Sequence, residues 1–192
     1  DEPGDVAVPI HLASTFAVPD VDMEMSLEDL DPDANEYVYS RLANPTRVAL
    51  EKRLAALEGG EHGLAFASGT AAINATITAV VEPGDHVVAF DDLYGGTKSM
   101  LKELFRDRLQ VDVSFVDATD TENVASAMRA ETTLVWMESP TNPLMKLCDV
   151  AAIADLVADH DALLGVDNTF MSPYFQRPLD LGADVVVHST TK

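Results

Sequence analysis

The sequence predicts an α/β protein in which a largely parallel sheet is covered by helices. Short apolar runs alternate along the chain with segments of helical composition, which is the pattern of repeated strand–helix–strand units. The apolar runs lack a clean two-residue alternation, as expected of strands that are buried on both faces. The 192 residues are 47% hydrophobic, which is enough apolar material for one sizeable core.

Six runs rich in β-branched and aliphatic residues are the predicted strands. They are Leu64–Ala67, His86–Phe90, Val111–Val116, Thr133–Met137, Leu163–Val166 and Asp184–His188. Helices are predicted over Thr46–Leu57, Thr70–Val81, Thr97–Phe105, Thr121–Met128 and Val150–Asp159. The first of these helices has Asn44 as a good N-cap and Pro45 at its first position, and Gly59-Gly60 ends it.

The first 43 residues do not follow this alternation. Pro9, Pro19 and Pro32 interrupt them, and Asp20–Asp33 is polar and acidic. We therefore predict an extended N-terminal arm over residues 1–43, reaching along the surface or onto a partner subunit, and one compact domain over residues 44–192. The acidic start without methionine predicts that no signal peptide is present and that the native N-terminus lies further upstream.

The charge balance disfavours polyanionic partners and indicates a high-salt environment. The chain has 33 acidic and 12 basic residues, for a formal net charge of −21, which disfavours nucleic acid and anionic membrane surfaces. No apolar run approaches the roughly 20 residues that cross a bilayer. The single cysteine, Cys148, suits a reducing compartment and a cytoplasmic location. Because the acidic residues are dispersed, we expect adaptation to high salt; the alternative is an ordinary acidic protein.

Polar motifs follow five of the six predicted strands. They are Ser68-Gly69-Thr70, Tyr94-Gly95-Gly96-Thr97, Glu138–Pro143, Asp167-Asn168-Thr169 and Ser189-Thr190-Thr191-Lys192. In open α/β sheets, ligands bind outside the carboxyl ends of the strands. The five motifs together therefore predict one binding site at that edge of the sheet.

Each motif offers a distinct chemical function. Ser68-Gly69-Thr70 leads from a strand into a helix, so backbone N–H groups and the helix dipole can bind an anion such as a phosphate. Asp167 can hold a pyridine nitrogen in its protonated form, and Tyr94 can stack on a flat ring and move protons. Lys192 can react with a carbonyl group as a nucleophile. Neither a P-loop nor a G-x-G-x-x-G fingerprint is present, which disfavours a nucleotide-binding Rossmann domain.

These residues make the chain similar to a known enzyme family. It resembles the Cys/Met-metabolism group of fold-type I pyridoxal-phosphate enzymes over nearly its whole length. The segments that carry the resemblance are Tyr39-Ser40-Arg41, Asn44-Pro45-Thr46, Asp92–Thr97, Glu138–Pro143 and Val166–Tyr174. The residue sequences of Tyr94–Thr97 and of the run that begins at Asn168 resemble those of the cystathionine γ-lyase and cystathionine γ-synthase branch. Gly96 stands where methionine γ-lyases commonly carry cysteine, which disfavours that branch.

The resemblance implies a fold, a cofactor and residue roles. The fold would be the large pyridoxal-phosphate-binding domain of an aspartate aminotransferase-like enzyme. The catalytic residues would be Lys192, bonded to the cofactor aldehyde, and Tyr94. The cofactor-binding residues would be Ser68, Gly69, Thr70, Tyr94, Asn142, Asp167, Thr169, Ser189, Thr191 and Lys192. Tyr39 and Arg41 would reach the phosphate in the neighbouring subunit, so a homodimer would be the minimal active unit within a homotetramer. Glu138 is interpreted as a structural carboxylate, and no metal is expected.

The resemblance also implies the reaction. We expect γ-elimination or γ-replacement on sulfur amino acids or homoserine derivatives, as in cystathionine γ-lyase or cystathionine γ-synthase. An O-acetylhomoserine or O-succinylhomoserine sulfhydrylase is the alternative within the family. The C-terminal domain of the family, which supplies an arginine for the substrate carboxylate, is not found in this sequence. A non-catalytic fragment or binding module is therefore the alternative from a different class.

Overall fold

The computed structural model describes residues 6–17 and 36–192. These residues form two compact units. One comprises the described part of Asp1–Ala56 together with Glu61–Ala65, and the other comprises Leu57–Gly60 and Phe66–Lys192. The whole predicted acidic stretch of the arm, between residues 20 and 33, lies outside the described residues.

The larger unit is built on a five-stranded parallel sheet. Its strands are β1 (His86–Phe90), β2 (Asp112–Val116), β3 (Thr132–Glu138), β4 (Leu163–Asp167) and β5 (Val185–Val187). They lie in the order β2-β1-β3-β4-β5. The predicted α/β fold with a parallel sheet is confirmed, and five of the six predicted strands are present.

The helices also follow the predicted alternation. They are α1 (Pro45–Glu58), α2 (Gly69–Val80), α3 (Gly95–Met100), α4 (Thr121–Ala127), α5 (Val150–Ala158) and α6 (Ser172–Phe175). A π-helical segment, Leu101–Arg106, continues α3, and a 3₁₀ turn covers Pro178–Leu181. Side-chain oxygens of Ser68, Asp120 and Asp149 cap the first turns of α2, α4 and α5. No helix within the described ranges is long and apolar enough to cross a membrane.

The core lies on both faces of the central strands. All five residues of β1 are buried, and so are six of the seven residues of β3. Helix α2 covers the sheet with Ile73 and Ile77, and α5 does so with Ile153 and Val157. Burial on both faces explains why the strand sequences read as continuous apolar runs.

The predicted first strand, Leu64–Ala67, is wrong. Leu64 is 79% exposed and Phe66 is 45% exposed, so the apolar side chains that suggested a buried strand are in contact with solvent. The backbone N–H of Ala65 donates to the Glu51 carboxylate (2.9 Å), and a strand ladder is therefore not its partner. An apolar run of four residues is too short for composition alone to decide its structure.

The sheet topology brings the carboxyl ends of the strands to one edge. The strand order reverses between β1 and β3, because the chain leaves β1 to form β2 on one side and then returns to form β3 on the other. Glu138 at the end of β3 pairs in register with Asp167 at the end of β4, which in turn pairs with Val187 at the end of β5. Ligands in such sheets bind beside the point where the order reverses.

Candidate active site

A cavity of about 260 Å³ opens at the carboxyl edge of the sheet. All ten predicted site residues of the larger unit line it: Ser68, Gly69, Thr70, Tyr94, Asn142, Asp167, Thr169, Ser189, Thr191 and Lys192. Ile73, Glu138, Phe170 and Val187 complete the lining. Residues up to 124 positions apart in the sequence thus meet in one cavity.

The start of α2 forms one wall of the cavity. The Ser68 hydroxyl accepts a hydrogen bond from the N–H of Ala71 (3.1 Å) and so fixes the first turn. The N–H groups of Gly69 and Thr70 precede the first helical hydrogen bonds and have no partner within the helix. A Cβ on Gly69 would lie 2.8 Å from Cβ of Ser189 and 3.2 Å from its Cα. Glycine therefore lets the helix approach the segment that follows β5, and the two together can hold an anion.

The ends of β4 and β5 form a second wall. Asp167 is 8% exposed, and its Oδ1 accepts a hydrogen bond from the N–H of Thr169 (3.0 Å). The Thr169 hydroxyl in turn accepts from the N–H of Ser189 (2.9 Å). These bonds order the two strand ends relative to each other. A carboxylate oxygen of Asp167 beside the cavity can accept a hydrogen bond from a protonated ring nitrogen.

Lys192 lies at the end of the tight turn that follows β5. Its N–H donates to the carbonyl oxygen of Ser189 (3.4 Å), and both Lys192 and Thr191 line the cavity. Lys192 and Asp167 therefore border the same cavity. A lysine amine in this position can react with an aldehyde carbonyl.

Glu138 connects two of the predicted site residues. Its Oε2 accepts a hydrogen bond from the N–H of Tyr94 (2.6 Å), and the backbone N–H of Asn142 also stabilises its charged form. Burial raises the pKa of Glu138 to about 7, and the neighbouring negative charges of Asp167 and Asp92 contribute in the same direction. The hydrogen bonds fit the structural role that the sequence analysis assigned. Glu138 also lines the cavity, as its place in one of the five predicted strand-end motifs indicates.

Tyr94 directly precedes α3, and its ring lies against the first turn of that helix. The side chain is 46% exposed, and a Cβ on Gly96 would lie 2.6 Å from the ring carbon Cε1. The ring therefore rests against a position where any larger residue would displace it. An aromatic ring at the rim of a cavity can stack on a flat ligand.

Tyr39 and Arg41 belong to the smaller unit. Tyr39 forms an antiparallel bridge with Thr15, and the Arg41 guanidinium lies 5.1 Å from the centroid of the Tyr39 ring. Arg47 donates hydrogen bonds to the carbonyl oxygens of Ser40 and Arg41 (both 3.4 Å) and to that of Leu42. One turn thus presents a phenol and a guanidinium side by side, and this pair is suited to a phosphate.

The cavity of the larger unit fits pyridoxal phosphate. The close approach of Gly69 to Ser189 offers N–H and hydroxyl donors for a phosphate. The buried Asp167 carboxylate offers an anion for the ring nitrogen, and Lys192 offers an amine for the aldehyde. The phosphate-binding groups, Asp167 and Lys192 belong to different walls of one cavity, and a flat cofactor needs its phosphate, ring nitrogen and aldehyde bound at different places.

Comparisons with known proteins agree with this fit. The model of the family described as Cys/Met metabolism PLP-dependent enzyme matches residues 1–192. The chain is 47% identical over 189 residues to a cystathionine gamma-lyase of Dictyostelium discoideum, covering 98% of this chain and 46% of that protein. It is 44% identical over 190 residues to a cystathionine beta-lyase of Coxiella burnetii, with coverages of 98% and 46%. The chain therefore spans about half the length of these relatives.

A solved structure gives the same result for the fold. The crystal structure of metB from Corynebacterium glutamicum superposes with a TM-score of 0.89 at 42% identity. The superposition covers 100% of this chain and 47% of that one. The fold of the whole described chain is therefore found in this relative.

Proposed function

Since the chain belongs to the Cys/Met metabolism PLP-dependent enzyme family, whose cofactor is pyridoxal 5′-phosphate, we propose that it acts in γ-elimination or γ-replacement. The substrates are sulfur amino acids or homoserine derivatives, as for cystathionine γ-lyase or cystathionine γ-synthase. The observation that carries this proposal is the convergence of ten residues from five separate segments on one cavity with Lys192 and Asp167 in its walls. Bound pyridoxal phosphate supplies a reactive aldehyde and a ring that withdraws electrons from the substrate Cα.

In this proposal the residues divide the binding of the cofactor among them. The start of α2 and Ser189 with Thr191 bind the phosphate through N–H groups and hydroxyls. Asp167 keeps the ring nitrogen protonated, and Thr169 orients that carboxylate through its N–H. Asn142, which also lines the cavity, would bind the ring hydroxyl. Ser68 caps the helix and so fixes the direction of its free N–H groups.

Two residues move protons in the proposed reaction. The Nζ of Lys192 would accept the proton that leaves the substrate Cα. The phenol of Tyr94 donates a proton to the departing γ-substituent. Both groups line the same cavity, so both can reach one substrate.

We further propose that the active unit is a dimer or a higher homo-oligomer, with Tyr39 and Arg41 completing the phosphate site of the neighbouring subunit. The segment 6–12 supports this, because it exposes apolar side chains: Val6, Val8, Ile10 and Leu12 are 53–107% exposed. Apolar side chains on an extended segment are typical of a surface that another chain covers. Cys148 is the single cysteine of the chain and is half-buried, and burial raises the pKa of its thiol to about 11. A single cysteine fits a reducing, cytoplasmic location.

Two other reactions are candidates at the same cavity. One is the replacement reaction of an O-acetylhomoserine or O-succinylhomoserine sulfhydrylase. The other is β-elimination, which the 44% identity to a cystathionine beta-lyase favours. All these reactions would use the same lysine and cofactor. The γ-elimination and the replacement reactions break the Cγ–heteroatom bond and differ in whether a thiol or sulfide then adds, whereas β-elimination breaks the Cβ–sulfur bond.

A product assay separates these reactions. Cystathionine, O-acetylhomoserine, O-succinylhomoserine and methionine are each supplied to the cofactor-loaded protein, with and without cysteine or sulfide. γ-Elimination of cystathionine gives cysteine, 2-oxobutanoate and ammonia, whereas β-elimination gives homocysteine, pyruvate and ammonia. Lys192→Ala is expected to lose both the reaction and the near-visible absorbance band of the attached cofactor. A Lys192→Ala protein that keeps that band would contradict the assignment.

A further inference from the structure

Four polar side chains form a hydrogen-bonded cluster beside the ends of β4 and β5, and none of them lines the cavity. We call this cluster the rear network; it consists of Glu58, Asn168, Gln176 and His188. Glu58, the last residue of α1, is 3% exposed. Its Oε1 accepts hydrogen bonds from the Asn168 amide (3.2 Å) and from Nε2 of His188. One buried carboxylate oxygen thus binds the residue after β4 and the residue after β5.

Alternation along the two strands explains this arrangement. Asp167 and Val187 are paired in register, and both line the cavity. Successive side chains in extended backbone point to opposite faces, so the next residues, Asn168 and His188, point away from the cavity. Thr169 and Ser189, one residue further on, line the cavity again. Every second residue therefore faces the cavity, and the residues between them bind Glu58.

Gln176 extends the network to a third strand. Its side-chain amide donates to Oδ1 of Asn168 (2.9 Å) and to the carbonyl oxygen of Ser139 (3.1 Å), which directly follows β3. The backbone carbonyl oxygen of Gln176 accepts a hydrogen bond from the side-chain amide of Asn168 (2.8 Å). The rear network therefore ties together the ends of β3, β4 and β5, and these three ends carry Glu138, Asp167 and the segment 189–192.

Glu58 is the acceptor on which this cluster depends. Both Asn168 and His188 direct a donor at the same oxygen, and Asn168 is fully buried. A buried donor that loses its acceptor costs more than the hydrogen bond itself contributes, because no water replaces the lost partner. Without Glu58, the chain after β4 and the chain after β5 would each move to satisfy their donors, and Asp167 and Lys192 would move with them.

We propose that Glu58 is a positioning residue that acts through Asn168 and His188 and sets the placement of Asp167 and of the Lys192 turn around the cofactor. This inference rests on the proposed cofactor site. It adds that residues outside the cavity determine how tightly and in what orientation the cofactor is held.

The test compares an isosteric apolar variant with a conservative one. Glu58→Leu removes the acceptor and keeps the side-chain bulk, whereas Glu58→Gln keeps an acceptor oxygen. We expect Glu58→Leu to raise the dissociation constant for pyridoxal phosphate about tenfold or more, the size of a lost charged hydrogen bond. Its visible circular dichroism per bound cofactor also decreases, since that signal reports cofactor orientation. Glu58→Gln is expected to retain most of both properties.

A matched control lies at the other end of the same two strands. Oδ2 of Asp184, just before β5, accepts a hydrogen bond from the N–H of Leu164 in β4 (2.8 Å). Asp184→Leu is expected to lower the stability against urea and to leave cofactor affinity and circular dichroism unchanged. If Asp184→Leu and Glu58→Leu weaken cofactor binding equally, the effect is general destabilisation and the inference is overturned.

A second pair of variants covers the case in which Glu58→Leu does not fold. His188→Gln keeps a donor near the position of Nε2, and His188→Leu removes it. We expect His188→Leu to weaken cofactor binding and alter the circular dichroism, and His188→Gln to change neither. Wild-type affinity in either leucine variant overturns the inference and leaves the proposed function intact. A wild-type protein that binds no pyridoxal phosphate would overturn both.

Discussion

The two edges of the parallel sheet use buried polar groups in opposite ways. At the amino edge, the His86 side chain is 1% exposed, and its two ring nitrogens are hydrogen-bonded to Thr132 (2.8 Å) and Ser114 (2.9 Å). At the carboxyl edge, Glu138 is 6% exposed, and its carboxyl faces a cavity beside the Asp167 carboxylate. The amino edge pairs the His86 ring with two hydroxyl groups, whereas the carboxyl edge places the acidic residues Glu138 and Asp167 side by side.

The neighbouring acidic groups at the carboxyl edge have a physical cost. Paired polar groups satisfy one another and stabilise the fold, whereas burial, followed by the negative charge of Asp167, disfavours the charged form of Glu138. Such an arrangement is typical of sites that bind a charged ligand, because a cationic group of the ligand relieves the repulsion. The contrast between the edges therefore separates groups that hold the fold from groups that serve the cofactor.

The largest expected effect concerns the pH dependence of stability. Burial raises the pKa of Glu138 to about 7 from an ordinary value of 4.5. A carboxyl with a raised pKa binds its proton more tightly in the folded state, so its stabilisation is complete below pH 4.5 and is lost as the pH rises through 7. The loss amounts to about 3 kcal/mol. In cofactor-free protein, Glu138→Gln should remove this slope in urea unfolding between pH 5 and 8.

His86 at the amino edge is the control, and its slope has the opposite sign. Burial, followed by the positive charge of Arg129, lowers the pKa of His86 below 6.5. Its stabilisation is therefore present above pH 6.5 and is lost as the pH falls below that value. In His86→Gln that loss toward acid pH should disappear. If the two variants differ from the wild type by slopes of the same sign, the contrast between the edges is wrong.

The next effect comes from adding one methyl group at each edge. In Gly69→Ala, the new Cβ lies 2.8 Å from Ser189, so the start of α2 and the segment after β5 must separate. Overpacking of this kind costs about 1–3 kcal/mol, and about 1.4 kcal/mol is tenfold in affinity. We expect pyridoxal phosphate to bind about tenfold more weakly, as measured by absorbance titration.

Gly84, in the turn before β1, is the matched control. Its φ is +100°, and a Cβ there would meet nothing within 4 Å. Gly84→Ala should therefore lower the free energy of unfolding by about 1–2 kcal/mol through backbone strain. Its cofactor affinity should equal that of the wild type. A Gly84→Ala protein with weakened cofactor binding would show that overall stability, and not the local approach at Gly69, sets the affinity.

The smallest effect concerns the ring of Tyr94. In Gly96→Ala the new Cβ displaces a half-exposed ring, which can move aside at a cost of roughly 1 kcal/mol or less. We expect kcat/KM for the preferred substrate to fall about 2- to 5-fold, with unchanged stability. Gly95→Ala, whose Cβ meets nothing within 4 Å, should leave kcat/KM unchanged. Equal losses in both variants would contradict a specific role of the Tyr94 ring position.

Much of the fold could be predicted because the relevant signals are local. The helix over Pro45–Glu58 is marked by Asn44, Pro45 and Gly59, and the buried strands are marked by apolar runs. Leu64–Ala67 could not be predicted correctly, because its apolar composition says nothing about which surface covers it. That segment remains exposed in part, and its Ala65 N–H bonds to a side chain.

The candidate site likewise contains residues that the sequence reveals and one that it does not. Ser68-Gly69-Thr70, Asp167 and Lys192 are recognisable because each lies at the start of a helix or at or after the end of a strand. Each also offers a chemical function that a phosphate, a ring nitrogen or an aldehyde requires. Glu58 could not be found in this way, since it ends a helix 130 residues before its partner His188. A contact at that separation depends on how helix and strand pack, and no local pattern records it.

The sequence by itself determined the class of fold, the polar strand ends and the chemistry that their residues can perform. These depend on composition and short spacing, which a linear chain displays directly. Only the tertiary structure decided that the carboxyl of Glu138 lies beside that of Asp167 and faces the cavity, and that Glu58 joins the ends of β4 and β5. Register and packing decide these contacts, because they bring distant residues to within one hydrogen bond of each other.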